Sequence, residues 1–284
     1  MTDISLDLSG KLDPLREQVF RDVLSVATEL GLPFFVVGAC ARDLILDLHY
    51  GLPVSRATND IDFGIRVGTW GEFEELKRAL TEMGRYAPDP YQLQRLHSRD
   101  GMIVDIVPFG GVEDATTRDI SWPPRHLIVM SALGFEEAYQ HSIRVRFAAG
   151  LEVPVSSLAG LALMKLVAWR DRHKVKDAKD LKLVLSEYLR AGNEERLESG
   201  ADSDLLDEEN FATIELTSAR LLGRDLGLLL TERSRQVVLT MLEGPTELAA
   251  EMAAEAIEID EAFEAALQML GMLKQGILDA IRQS

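Results

Sequence analysis

The chain is short of several residues and patterns, and each shortage removes a class of protein. It has one cysteine, Cys40, so no internal disulfide can form and a cysteine-rich zinc site has no support. The five histidines, His49, His97, His126, His141 and His173, are scattered and never form a His-x-x-x-His pair, which removes the helical zinc-hydrolase pattern. Gly-x-x-x-x-Gly-Lys-Ser/Thr, Gly-x-Gly-x-x-Gly and Gly-x-Ser-x-Gly are all missing, and with them the usual P-loop, dinucleotide and hydrolase signals. No apolar run approaches the ~20 residues of a membrane span, and Met1 to Gly10 lacks the basic-then-apolar pattern of a signal peptide. A protein of the cytoplasm with no membrane partner is expected.

Positive charge is also scarce: 30 Lys and Arg face 47 Asp and Glu, a net charge of −17. A large non-specific nucleic-acid surface is therefore excluded, because a phosphate backbone is held chiefly by Lys and Arg. The acidity is uneven. Residues 183–284 carry 21 acidic against 8 basic side chains, a net −13, so the first 182 residues are nearly balanced.

What is present begins with a sufficient core: 284 residues, 46% of them hydrophobic, favour two domains over one. Asp13-Pro14 reads as an N-cap followed by proline at the first helical position, opening a helix to Leu30. Phe34-Phe35-Val36-Val37 suits a buried strand; Gly38-Ala39-Cys40 is a small-residue turn; a helix then runs from Ala41 to about His49. Tyr50 to Asn59 has loop chemistry, and Trp70 to Met83 has helical spacing. Two hairpins are expected, one turning at Ser98 to Gly101 and one joining Ile143–Phe147 to Leu151–Val155. From Ser156 onward the period is helical: Ser157–Arg172, Asp177–Leu189, Asn210–Leu222, Thr231–Leu242, Thr246–Ala256 and Asp260–Ile281. Ala191 to Glu209, acidic and poor in hydrophobics, reads as a mobile linker. The fold class is thus α/β of the α+β kind, a small mixed sheet over residues 1–155 followed by an all-helical domain over 156–284.

Chemistry concentrates near the first strand. A helix opening at Gly38, Ala39 and Cys40 offers backbone N–H groups to an anion. Asp60 and Asp62 are two apart, so on a strand both carboxylates share a face, and such a pair suits Mg²⁺ or Mn²⁺ completed by phosphate oxygens and waters. Asp105 is the only charge in the apolar run Met102–Val107. Lys165 is conspicuous in the apolar helix Leu158–Trp169, with Arg172 two turns on; it either snorkels or binds phosphate. Lys165 to Lys182 holds eight basic groups counting His173 against three Asp, either an anion patch or a solvated helix face. Arg42 is either a phosphate contact or the partner of Asp43 in an ion pair, and Cys40 is either a small turn residue or a reactive thiol.

The strand, the Gly38 turn, Asp60-x-Asp62 and Asp105 together resemble the nucleotidyltransferase superfamily. Lys165 to Arg172 followed by Lys176-Asp177-Ala178-Lys179-Asp180-Leu181 resembles the AbiEii-type toxin nucleotidyltransferases in particular. The likeness covers roughly residues 30 to 190. It implies nucleotidyl transfer from an NTP, with Asp60, Asp62 and Asp105 as metal and catalytic carboxylates and Lys165 as a catalytic cation. It further implies nucleotide contacts from Gly38, Ala39, Cys40, Arg42, Arg172, Lys176 and Asp177, with Lys165 to Asp180 brought into the cleft. Ala39 departs from the family's Gly or Ser, so a hydroxyl contact to phosphate is lost. An RNA end such as that of a tRNA, a protein hydroxyl or a small molecule such as an antibiotic could accept the nucleotide, and an antitoxin is an implied partner. A catalytically silent nucleotide-binding protein and a helical interaction protein are the alternatives.

Overall fold

The computed structural model describes residues 5–54, 58, 60–200, 202–206 and 213–283. Residues 55–57 and 59 of the expected loop, and the start of the helix expected at Asn210, lie outside the described residues. The chain divides into two compact units, one of residues 1–49 and 55–157, the other of 50–54 and 158–284.

The first unit is built on an eight-stranded mixed sheet. Its strands are β1 (Ser5–Asp7), β2 (Phe34–Val37), β3 (Asp60–Val67), β4 (Tyr86–Pro88), β5 (Arg95–Ser98), β6 (Ile103–Gly110), β9 (Ile143–Ala148) and β10 (Leu151–Val155), in the order β1-β9-β10-β2-β3-β6-β5-β4. The small strands β7 (Asp119–Ser121) and β8 (Val129–Ser131) form a separate two-stranded sheet. All four residues of β2 are buried, as its unbroken apolar run requires of a strand covered on both faces. β3 runs antiparallel to β2 and parallel to β6. Both expected hairpins are present, β5–β6 and β9–β10.

Helix α1 (Pro14–Leu30) starts where the Asp13 side chain accepts from the Arg16 N–H. It buries Val19, Phe20 and Val23, and Phe20 lies against Phe63 of β3 and Phe147 of β9. Helix α2 (Gly38–Asp43) continues as a π-helical turn over Leu44–His49, beginning three residues before the expected Ala41. Helix α3 (Trp70–Glu82) and the short α4 (Phe135–Gln140) complete the unit, with Phe135 and Tyr139 packing on Phe35 and Phe109.

The second unit is helical: α5 (Leu158–Arg172), α6 (Val175–Glu187), α7 (Glu195–Ser199), α8 (Ile214–Leu229), α9 (Glu232–Met241), α10 (Thr246–Ala253) and α11 (Ile259–Gln283). Helix α8 runs seven residues past its expected end at Leu222. Glycines at 223 and 227 let two helices touch: a Cβ on Gly223 would fall 2.9 Å from the Gly276 Cα of α11, and one on Gly227 2.7 Å from the Ala280 Cβ. Close backbone contact offsets the ~1 kcal/mol that glycine costs inside a helix.

The expected mobile linker is corrected over its described part. Residues 195–199 are α7 and Ser203–Leu206 a 3₁₀ turn, and their charges are tied to α8. Arg196 reaches Asp202 at 2.8 Å and Asp225 at 2.6 Å, while Arg224 reaches Asp202 at 3.0 Å, Asp204 at 2.5 Å and Asp279 of α11 at 3.4 Å. Low hydrophobicity here reflects a partly buried ionic network, not a solvated tether.

Candidate functional site

The turn from β2 into α2 is shaped by one contact. Val37, extended, caps the helix with no side-chain hydrogen bond, and Gly38 follows at φ +68°, a conformation that glycine adopts without strain. A Cβ built on Gly38 would lie 3.0 Å from the Asp62 Cγ and closer still to its Oδ2. Glycine is thus required both by the backbone and by the approach of a carboxylate.

The residues after Gly38 are mostly interior. Ala39 is half-buried and Cys40 is buried. Burial pushes the Cys40 thiol up to about 12; Arg16 opposes the rise, and the charges of Asp62 and Asp43 add to it. The thiol is therefore protonated at neutral pH, and of the two readings of Cys40 the small turn residue stands. Arg42, 4% exposed, donates to Asp43 Oδ1 from Nε at 2.8 Å and Nη2 at 2.6 Å. Burial raises the Asp43 carboxyl despite that guanidinium, and its other oxygen accepts from the Thr58 N–H at 3.4 Å. Arg42 and Asp43 thereby fasten α2 to the segment that leads into β3.

The carboxylates come together through strand register. Asp60 and Asp62 alternate on β3 and share a face. The parallel β3–β6 ladder sets Asp62 directly beside Asp105, and the β2–β3 ladder sets it beside Val37 on the other side. Three carboxylates therefore occupy one face at the Gly38 end of the two central strands.

Arg95 joins them, and the sequence reading missed it. It sits opposite Asp105 in the β5–β6 ladder and donates to both carboxylate oxygens, Nε to Oδ1 at 2.8 Å and Nη2 to Oδ2 at 2.7 Å. The hydrogen bond to Asp105 raises the guanidinium pKa well above its ordinary value; burial opposes the rise, and the charges of Asp105, Asp60 and Asp89 reinforce it. No sequence signal marks this pairing beyond a basic residue in an alternating segment, because the partner is fixed by register.

Among the described residues no three carboxylate, imidazole or thiol side chains form a ready metal cage. The donors nevertheless fit a hard divalent cation: Asp60 and Asp62 supply carboxylates on one face, and Mg²⁺ is commonly held by one or two carboxylates plus phosphate oxygens. At Asp105 the compensating positive charge is already supplied by Arg95.

In the helical unit a second charged cluster surrounds Lys165. Its Nζ lies 3.2 Å from Asp177 Oδ1 and 2.5 Å from Asp180 Oδ2, and Arg172 holds Asp177 through Nε at 2.7 Å and Nη2 at 2.8 Å. The Lys165 side chain is 12% exposed and that of Asp177 fully buried. Burial pushes the Asp177 carboxyl up, but Arg172 and Lys165 more than compensate and hold it below the usual carboxylate range. Lys165 thus ends among carboxylates and does not snorkel to solvent. Elsewhere in the basic stretch Arg170 pairs with Asp171, Lys179 with Glu255 and Lys182 with the Met252 carbonyl, while Lys176 is exposed. Much of the patch is neutralised from within. Trp169, edge-on to His173 and donating to Glu251 at 2.6 Å, fixes the end of α5.

The family profile described as "Nucleotidyl transferase AbiEii toxin, Type IV TA system" matches residues 24–270. Among curated proteins none matches the chain. Similar solved structures include the antibiotic-resistance factor ANT(2'')-Ia in solution, 16% identical with TM-score 0.39, covering 82% of this chain and 100% of that one. The same factor in complex with adenylyl-2''-tobramycin is 18% identical with TM-score 0.36, covering 64% of this chain and 98% of that one. A Thermotoga maritima CCA-adding enzyme complexed with tRNA is 14% identical with TM-score 0.28, covering 96% of this chain and 84% of that one.

Proposed function

Because the chain belongs to the AbiEii nucleotidyltransferase toxin family and is a nucleotidyltransferase, we propose that it transfers a nucleotidyl group from a metal-bound NTP to a hydroxyl at an RNA end, acting in the cytoplasm with an antitoxin as its counterpart. One observation carries the site assignment: register places Asp60, Asp62 and Asp105 on a single sheet face beside the Gly38 turn. The reaction joins the acceptor oxygen to the α-phosphorus and breaks the bond to the β-phosphate oxygen, so pyrophosphate leaves and the hydroxyl proton is released. Asp60 and Asp62 would hold Mg²⁺ or Mn²⁺, which supplies charge stabilisation for the phosphates when bound. Asp105, paired with Arg95 in the free protein, orients the acceptor hydroxyl or takes its proton.

Backbone N–H groups at Gly38, Ala39 and Cys40 contact phosphate without needing the hydroxyl that Ala39 lacks. Arg42 is buried on Asp43, so its part is to hold α2 in place. Lys165, Arg172, Lys176 and Asp177 are further candidate nucleotide-binding residues, with Lys165 the cation on which transfer depends. The net −13 of residues 183–284 disfavours RNA contact over that region and favours recognition of an end over a long duplex. Incubation with each labelled NTP, Mg²⁺ and total cellular RNA tests the reading. Label in one RNA class is expected; label confined to protein or to small molecules would replace RNA as the acceptor, and no label with any NTP would overturn nucleotidyl transfer.

A further inference from the structure

Two features of Arg95 go beyond the assignment of the carboxylates. Its guanidinium engages both oxygens of Asp105, the ladder partner of Asp62, at 2.8 and 2.7 Å. A dication drawn to that carboxylate must compete with a cation already in contact, and two positive charges on one carboxylate repel. Of the two other anions whose charge reaches Arg95, Asp60 is assigned to the metal, and Asp89 is engaged elsewhere: it contacts His97 Nε2 at 2.8 Å and accepts from the N–H groups of Tyr91 and Gln92 at 2.8 and 2.9 Å. If Arg95 leaves Asp105, it needs an anion that arrives from outside. The planar fork that fits a carboxylate fits a phosphate equally well. At 21% exposure the Arg95 side chain is accessible to such a group.

We propose that Arg95 is the resident counter-cation of Asp105, exchanged for the divalent metal when nucleotide enters, with the released guanidinium passing to a phosphate of that nucleotide. Arg95 is then a positioning residue that couples metal binding to nucleotide binding. Metal alone binds poorly, because it must displace the guanidinium with nowhere for it to go. Nucleotide with metal binds well, because the phosphate gives Arg95 a replacement partner and Asp105 turns to the metal. The inference rests on the site reading above and deepens it.

The test is Mn²⁺ binding followed by electron paramagnetic resonance, with and without an NTP analogue carrying a non-transferable α,β-bridge. In the unaltered protein the analogue should tighten Mn²⁺ by about tenfold, within the usual range of coupling between two ligands. In Arg95→Gln, Mn²⁺ alone should bind more tightly than in the unaltered protein and the analogue should add less than about twofold. Arg95→Lys, which keeps the charge without the fork, should fall between the two and guards against misreading a folding defect. Equal Mn²⁺ affinity and equal gain from the analogue in Arg95→Gln and the unaltered protein would overturn the proposal. Asp62→Asn separates the two layers. If it abolishes Mn²⁺ binding while Arg95→Gln changes nothing, the carboxylate site stands and the Arg95 exchange falls. If the unaltered protein binds no Mn²⁺ even with the analogue, both fall.

Discussion

Gly38 and Asp62 are in such close approach that no side chain fits between them: a Cβ on Gly38 would be 3.0 Å from the Asp62 Cγ, and the glycine backbone is itself left-handed at φ +68°. Gly38→Ala should therefore cost about 1–2 kcal/mol for the left-handed conformation, with a further loss from pushing the carboxylate aside. Its melting temperature should drop, and its transfer rate should fall more than its stability explains, because the displaced group is Asp62. An alanine variant with both unchanged would show that this contact matters to neither fold nor chemistry.

Asp60→Ala and Asp62→Ala should each abolish transfer while leaving the fold intact. Carboxylates side by side on one face repel in the metal-free protein, so removing one relieves strain as readily as it removes support. Circular dichroism and thermal melting should match the unaltered protein; transfer of label from NTP should vanish. Retained transfer in Asp62→Ala would end the assignment of that residue as a metal ligand.

The legibility of these features in the sequence follows from how local each one is. The α1 boundary is set by Asp13, Pro14 and Gly31, and the β9–β10 hairpin by alternation about Gly150, so both can be read without tertiary information. That Asp60 and Asp62 share a face follows from strand alternation alone. That Asp105 lies beside Asp62 depends on register across strands far apart in sequence, and that Arg95 meets Asp105 depends on the register within the β5–β6 hairpin; periodicity supplies neither. Strands β1, β4, β7 and β8 are three residues each, too short to show a period. The acidic stretch after Ala191 reads as a linker because its partners, Arg224 and Asp225, reside on a later helix.

Lys165→Met should separate two effects. It leaves Asp177 with Arg172 alone and takes the ammonium from Asp180, in a cluster with little access to water. Breaking a buried ion pair from one side costs about 3–5 kcal/mol, so urea denaturation should show a marked loss of stability. NTP affinity, measured below the unfolding transition, should fall as well if the lysine contacts phosphate. Lower stability with unaltered NTP affinity would assign Lys165 to joining α5 and α6 and to nothing more.

Acid should destabilise the helical unit through a definable set of carboxylates. Asp204 is held below its ordinary value by hydrogen bonds from Arg224, whose charge adds to the effect. Burial pushes Asp279 up, but hydrogen bonds from Arg220 and Gln275 and the charges of Arg220 and Arg224 bring it lower overall. A carboxylate depressed on folding contributes stability that is complete above its unfolded value, ~3.9, and is lost as pH falls through the folded one. Unfolding by urea should therefore give a stability unchanged by these groups between pH 7 and pH 5, declining below about pH 4. Arg224→Met removes the guanidinium shared by Asp202, Asp204 and Asp279. It should lower stability at pH 7 and weaken the acid decline chiefly through Asp204, which loses the guanidinium that depresses it, while Asp279 keeps Arg220 and Asp202 keeps Arg196. If Arg224→Met loses stability in parallel with the unaltered protein all the way to pH 3, these carboxylates are not the origin of its acid sensitivity.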